Sequence, residues 1–264
     1  MIILSEKIMN SWKERDTYSV VFMDVAGAFN NVHHKRLSHN LRKRKVPEFI
    51  VRWVESFLSD RYTRLRFNGM DSEKITIDAG IPQGSPISPI LYIFYNADLL
   101  DIPGNDGSSW GFIDDIAYGV QGESDEQNAE ELQRMLEKAE QWRERHGVKF
   151  EPSKYVLTHF SRSRIPPAAS IKIGHATIEP ANEAKYLGVI FDRKLRFTQH
   201  IQHAAKKGTR FALAISRIAK STWGASYRQT RMLFTSVVAA RIDYAAIVWH
   251  RPKQEGLCNP WFGL

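Results

Sequence analysis

Along the chain, the spacing of apolar residues switches between a period of two and a period near 3.6, and the switches mark the elements. Tyr18-Ser19-Val20-Val21-Phe22-Met23-Asp24 is a short β-branched and aromatic run, which predicts a buried strand with an acid at its exit. A basic amphipathic helix is expected from about Ala28 to Lys45, and Pro47 opens another with Phe49, Ile50, Trp53, Val54 and Phe57 on one stripe. Residues 65–69 and 74–78 read as a hairpin. The segment Gly80-Ile81-Pro82-Gln83-Gly84-Ser85-Pro86-Ile87-Ser88-Pro89 is too rich in proline and glycine for a regular element and predicts a shaped loop, followed by an apolar helix over 90–100. Two short strands meet around Asp114-Asp115. Ala129, Leu132, Met135, Leu136, Ala139 and Trp142 then recur at helical spacing, so an acidic outer helix packs on the sheet through that face. A turn at 151–154, a strand over 155–160, a loop at 166–170 and small strands to Val189 follow. From about Phe197 the pattern is helical, with Phe211, Leu213, Ile215 and Ile218 on apolar faces, and residues 251–264 show no periodicity.

Length and composition narrow the class. With 264 residues and 43% hydrophobic positions the chain can bury a sizeable core, in one large or two modest domains. No run is long and apolar enough to span a bilayer or serve as a signal peptide, so an intracellular setting is expected, nuclear or cytoplasmic, without secretion or membrane attachment. The single cysteine, Cys258, excludes an internal disulfide and a cysteine-based zinc site. A net charge of +8 points to a polyanionic partner. Basic residues cluster at 33–45, at Arg61, Arg64 and Arg66, and from Arg193 to Arg217. Such runs are solvated faces, or together they line a groove for a phosphate backbone.

The candidate chemistry lies in carboxylates set among apolar residues. At about 4 Å and an effective dielectric of about 20, two like charges repel by roughly 4 kcal/mol. Asp114-Asp115 is therefore either a solvated hairpin turn or a pair that needs a cation. Asp24 at the exit of another strand favours the second reading: three carboxylates on neighbouring strands suit hard divalent metal and phosphoryl transfer, with two ions activating a hydroxyl and stabilising a leaving oxygen. Small residues Val25-Ala26-Gly27-Ala28 let backbone N–H groups approach a triphosphate, and Phe29 is either a core aromatic at a helix start or a ring that closes on the sugar and excludes a 2′-hydroxyl.

Phe22-Met23-Asp24-Val25-Ala26-Gly27-Ala28-Phe29-Asn30-Asn31-Val32, then Gly80-Ile81-Pro82-Gln83-Gly84-Ser85-Pro86, then Phe112-Ile113-Asp114-Asp115 resemble motifs A, B and C of reverse transcriptases. In flavour they are similar to non-LTR, LINE-type retrotransposon enzymes, the jockey- or Tad-like elements of fungi in particular, and the resemblance runs from about Val20 to about Trp249. It implies an α+β fold, the right-hand polymerase palm, with an antiparallel sheet packed on helices, partial fingers and a helical thumb-like segment. It implies Asp24, Asp114 and Asp115 as ligands of two Mg²⁺ ions, with Mn²⁺ as a substitute and Val25 contributing beside Asp24. Nucleotide contacts fall to Val25, Gly27, Ala28, Phe29, Gln83 and Gly84, with Phe29 as steric gate. Lys154 matches the motif D lysine that protonates pyrophosphate, or is a surface turn lysine, and Tyr186-Leu187-Gly188 resembles the primer grip of motif E. The implied partners are an RNA template, a DNA primer and dNTPs.

Asn30 stands where many relatives carry Asp, and Ile113 where Ala or Val is commoner. Few residues precede Asp24, and no endonuclease or RNase H motif is seen, so the chain reads as N-terminally truncated: palm and partial fingers over 1–192, a helical thumb-like segment over 193–250, and an irregular tail over 251–264. The competing expectation is a catalytically inactive retroelement remnant that at most binds nucleic acid. Another palm enzyme, such as a nucleotide cyclase, does not need the Pro-Gln-Gly loop.

Overall fold

The computed structural model describes residues 1–174, 176–220 and 223–250; the irregular tail and Cys258 lie outside the described residues. The chain divides into two compact units, Ser11–Asn182 and Met1–Asn10 with Glu183 onward.

The first unit is built on β1 (Thr17–Ala26), whose Val20, Val21, Phe22 and Met23 are all buried, so the strand is covered on both faces. β1 pairs antiparallel with β7 (Asp115–Gly122) on one side and with β8 (Lys149–Phe150) and β9 (Val156–Phe160) on the other, and β6 (Ser108–Phe112) completes the sheet beyond β7. Helix α5 (Asp125–His146) packs on β1 and β7 through Ala129, Leu132, Met135, Leu136, Ala139 and Trp142, the face expected from spacing. Its ends are written locally: Ser124 Oγ accepts from Gln127 N, acids fill the first turn, basic residues fill the last, and Gly147 at φ 64° closes it. No helix among the described residues is long and apolar enough to cross a membrane.

Helix α2 spans His34–Lys43 rather than starting at Ala28. Residues 27–31 form a turn, with Asn30 N and Asn31 N donating to Gly27 O, and the carbonyls of Phe29 and Val32 are taken by Ile81 N and Gly80 N, which removes the acceptors a helix would use. Helix α3 (Glu48–Leu58) buries Val51, Val54 and Leu58; of the expected stripe Val54 is buried and Phe57 packs partly on the core, while Phe49, Ile50 and Trp53 are exposed. Phe49 is 74% exposed and Trp53 53%, and Trp53 stacks on Phe57. The hairpin expected over 65–78 is two nested ribbons: β2 (Tyr62–Thr63) with β5 (Ile75–Thr76), and inside them β3 (Arg66–Phe67) with β4 (Met70–Asp71). The inner turn is Asn68-Gly69, both at positive φ, the dipeptide that two-residue hairpins favour. Helix α4 (Ser88–Leu100) follows the Pro/Gly loop, and a small ribbon of β10 (Ile171–Ile173) and β11 (Ala176–Ile178) ends the unit.

In the other unit α1 (Ile2–Lys13) contributes its first residues, and its helical pattern went unread in the sequence. β12 (Glu183–Tyr186) and β13 (Val189–Asp192) form a hairpin, and α6 (Thr198–Ile218), α7 (Tyr227–Leu233), α8 (Ala240–Ile242) and α9 (Ala246–Trp249) follow. The residues α6 buries are His200, Ala204 and Gly208, whereas Leu213 and Ile218 of the expected apolar face are exposed, because no described element covers them.

Candidate active site

The β1–β7 ladder runs through eight paired positions and ends with Asp24 directly opposite Asp115. Directly opposed residues point to the same face of a sheet, so the ladder's register alone brings these two carboxylates together. Asp114 comes with them because Phe112 pairs with Asp115, which leaves Ile113 and Asp114 as the two-residue tip of the β6–β7 hairpin. Ile113 sits at φ 61°, an unusual conformation for a β-branched residue and a store of local strain. Its carbonyl accepts from Asn96 Nδ2 at 2.7 Å, so buried Asn96 of α4 pins the tip.

Electrostatics agree with crowding. Burial first, then the charges of Asp114 and Asp24, hold the Asp115 carboxyl above the usual range. Lys154, in the turn before β9, places Nζ 3.2 Å from Asp24 Oδ2 and 2.6 Å from Glu151 Oε2, and these two acids raise its pKa above that of a free lysine. Among the described residues no three His, Cys, Asp or Glu side chains converge closely enough to form a finished metal site. The donor set nevertheless suits a hard divalent cation: it is all oxygen, and the mutual repulsion that raises Asp115 is what such a cation relieves.

The remaining candidates of this unit lie on the turn that leaves β1 after Asp24 and on the loop joined to that turn. Val25 is buried and pairs with Phe150, so its backbone is what it can offer a ligand. Gly27, at φ 61°, turns the chain out of β1; a Cβ there would lie 2.8 Å from Asn31 Nδ2. Ala28 is buried, and Phe29 is half-buried, its ring stacked on Tyr92 of α4 at 5.6 Å between centroids. The Pro/Gly loop is zipped to this turn: Gly80 N donates to Val32 O, Ile81 N to Phe29 O, His34 Nε2 donates to Gly80 O, and Gln83 Nε2 reaches Asn30 Oδ1 at 3.5 Å. Gly80, at φ 87°, is obligatory here, since a Cβ would stand 2.9 Å from Asn30 O. Gln83 and Gly84 are exposed.

Tyr186, Leu187 and Gly188 belong to the other unit, at the turn between β12 and β13. Leu187 and Gly188 both take positive φ, and Leu187 O accepts from Tyr244 Oη at 3.0 Å.

Sequence reasoning missed Asn96 and Tyr92. Tyr92 is fully buried under Phe29, its hydroxyl has no hydrogen-bond partner, and burial and then Asp114 raise its pKa. The signal was present: an Asn and a Tyr four apart on the buried face of an apolar helix need a reason to be there.

Comparison with known proteins decides the family. The family model described as reverse transcriptase (RNA-dependent DNA polymerase) matches residues 4–191. The chain belongs to the reverse transcriptase family. It is 27% identical to a probable RNA-directed DNA polymerase from transposon X-element of Drosophila melanogaster, over 92% of this chain and 27% of that protein. It is 30% identical to the RNA-directed DNA polymerase from mobile element jockey of the same species, over 71% of this chain and 21% of that protein. This reverse transcriptase chain thus spans about a quarter of the curated non-LTR relatives it matches. Among solved structures, apo telomerase from Candida tropicalis lacking its C-terminal domain aligns with 72% of this chain and 38% of its own at TM-score 0.52 and 12% identity. Telomerase of that species in complex with a telomeric RNA fragment aligns with 93% and 42% at TM-score 0.51 and 10% identity. Both share the right-hand polymerase fold with the α+β arrangement seen here.

Proposed function

We propose that the chain is the polymerase module of a retrotransposon RNA-directed DNA polymerase, adding dNTPs to a primer 3′-hydroxyl on an RNA template. The observation that carries this reading is the placement of Asp24 opposite Asp115 at the end of a buried ladder, next to Asp114, with the Pro-Gln-Gly loop hydrogen-bonded to the turn that follows Asp24. Residues 1–192 serve as palm and partial fingers and 193–250 as the thumb-like segment.

Reverse transcriptases generally use divalent metal, and here Asp24, Asp114 and Asp115, with the Val25 backbone, would hold two Mg²⁺ ions or Mn²⁺ in their place. When bound, the ions supply Lewis-acid activation of the hydroxyl and charge stabilisation at the leaving pyrophosphate. The chain's own residues do the rest. Gly27 and Ala28 leave room for triphosphate oxygens, Phe29 on its Tyr92 support selects the deoxy sugar, and Gln83 and Gly84 contact nucleotide and template. Lys154, kept protonated by Glu151 and Asp24, carries a proton that can pass to pyrophosphate. Tyr186, Leu187 and Gly188 hold the primer.

A second reading, a remnant that binds nucleic acid without extending it, draws on Lys154, whose ammonium contacts Asp24 where an ion would sit. Primer extension on poly(rA)/oligo(dT) with Mg²⁺ separates the two. Extension that Asp114→Asn lowers about 10³-fold or more supports the first. Salt-dependent RNA binding with no extension supports the second.

A further inference from the structure

Helix α2 carries cations at both ends, and the structure treats the ends differently. At the C-terminal end Arg42 pairs with Glu48 and Glu55, Lys43 and Arg44 share Asp98, and Arg44 also reaches Asp101. At the other end Lys35 and Arg36 have no carboxylate within ion-pair distance among the described residues, and neither does Arg145 in the last turn of α5. These three cations, with His33, His39 and His146, line a cleft of about 510 Å³ between the start of α2 and the end of α5. The cleft's one acid, Glu144, lies 3.6 Å from Arg143. None of its lining residues belongs to the carboxylate site.

A helix C-terminus normally repels anions through its open carbonyls. Here most are engaged: Arg143 O accepts from Gly147 N and Val148 N, Arg145 O from Arg36, His146 O from Tyr95 Oη, and Trp142 O from His146 Nδ1. His146 is 6% exposed, and its Nε2 is left buried with no partner. Cations without carboxylate partners, gathered at a helix end whose carbonyls are mostly engaged, make a receptor for oxyanions; His146 gives its Nδ1 proton to Trp142 O and serves as a wall of the cleft.

We propose that this cleft is a phosphate-binding site separate from the carboxylate site, taking the phosphate oxygens of pyrophosphate or of a nucleic-acid backbone. The two sources share one chemistry, so the test has two arms. The variant is Lys35→Glu with Arg145→Glu, both surface cations, leaving Arg36 to hold its carbonyl. The control, Lys138→Glu with Lys172→Glu, makes the same change in net charge outside the cleft. In the first arm inorganic pyrophosphate is titrated by calorimetry and by the imidazole resonances of His33, His39 and His146. Saturable shifts in those resonances, with affinity at least about ten-fold weaker in the cleft variant and unchanged in the control, assign a free-phosphate ligand. In the second arm a fluorescent single-stranded RNA is titrated across salt concentrations. A salt slope shallower by about one or more in the cleft variant alone assigns a backbone phosphate. Equal losses in variant and control, or no loss in either arm, overturn the proposal. The proposal does not rest on catalysis: failure of the parent to extend a primer with both arms intact overturns the polymerase reading alone, and failure of both arms with extension intact overturns this proposal alone.

Discussion

The β1–β7 ladder and the nested ribbons over residues 62–76 are both antiparallel and lie in the same unit, yet they differ in what holds them. Along the ladder Val20, Val21, Met23, Ile116, Ala117 and Tyr118 are buried against helices, whereas all the paired residues of β2, β3, β4 and β5 are exposed. The ribbons rest on an Asn-Gly turn, the Arg66–Asp71 ion pair and Lys74 over the Tyr62 ring, each worth little at an exposed site. The lesson is that like charges can be collected only where burial elsewhere offsets their repulsion. Asp24 and Asp115 stand at the end of the element that has this support, and the ribbons, which lack it, carry an opposite-charge pair instead.

The sharpest way to break the contrast is to damage the support. Ile116→Ala, at a fully buried position, is expected to cost about 2–5 kcal/mol in urea unfolding, whereas Met70→Ala in the ribbon is expected to cost no more than about 0.5 kcal/mol. Similar losses at both sites would show that the ribbon has a core of its own. Next in size is Asn96→Ala, which frees the strained hairpin tip; a loss of about 1 kcal/mol is expected, with a drop in extension rate larger than that loss of folded protein explains.

The smallest effect concerns Asp115 and sharpens the electrostatic side. Its folded-state pKa is raised, so between the ordinary aspartate value and that raised value the native state holds a proton that the unfolded chain has already released. Stability therefore falls as pH rises through the window above the ordinary aspartate value and returns on acidification. Asp115→Asn removes this penalty, and its melting temperature in EDTA is expected to exceed that of the parent at pH 7, with the difference shrinking towards pH 4. A variant that melts lower at pH 7 would mean the carboxylate is not crowded.

Much of this architecture was readable in advance where the signals were local. The apolar face of α5, the Pro/Gly loop ahead of α4 and the strand that carries Asp24 near its end depend on neighbours within a few residues. The errors share a cause. The helix expected from Ala28 loses its first turns because the loop near Gly80 takes its carbonyls. On α3 the larger aromatics suggested the buried stripe, but packing against α2 selects Val51, Val54 and Leu58. The Asn68-Gly69 dipeptide is itself a hairpin signal, and the turn it makes splits the expected longer strands into two ribbons.

The sequence by itself determined the order and spacing of its acidic and Pro-Gln-Gly motifs and hence its family, since these are properties of short runs. Only the tertiary structure decided that Asp24 faces Asp115, that Lys154 reaches Asp24, that Tyr92 lies beneath Phe29, and which cations of α2 find carboxylates. Those outcomes hang on strand register and helix packing, which are fixed by apolar burial between segments far apart in the chain and leave no mark at the positions they bring together.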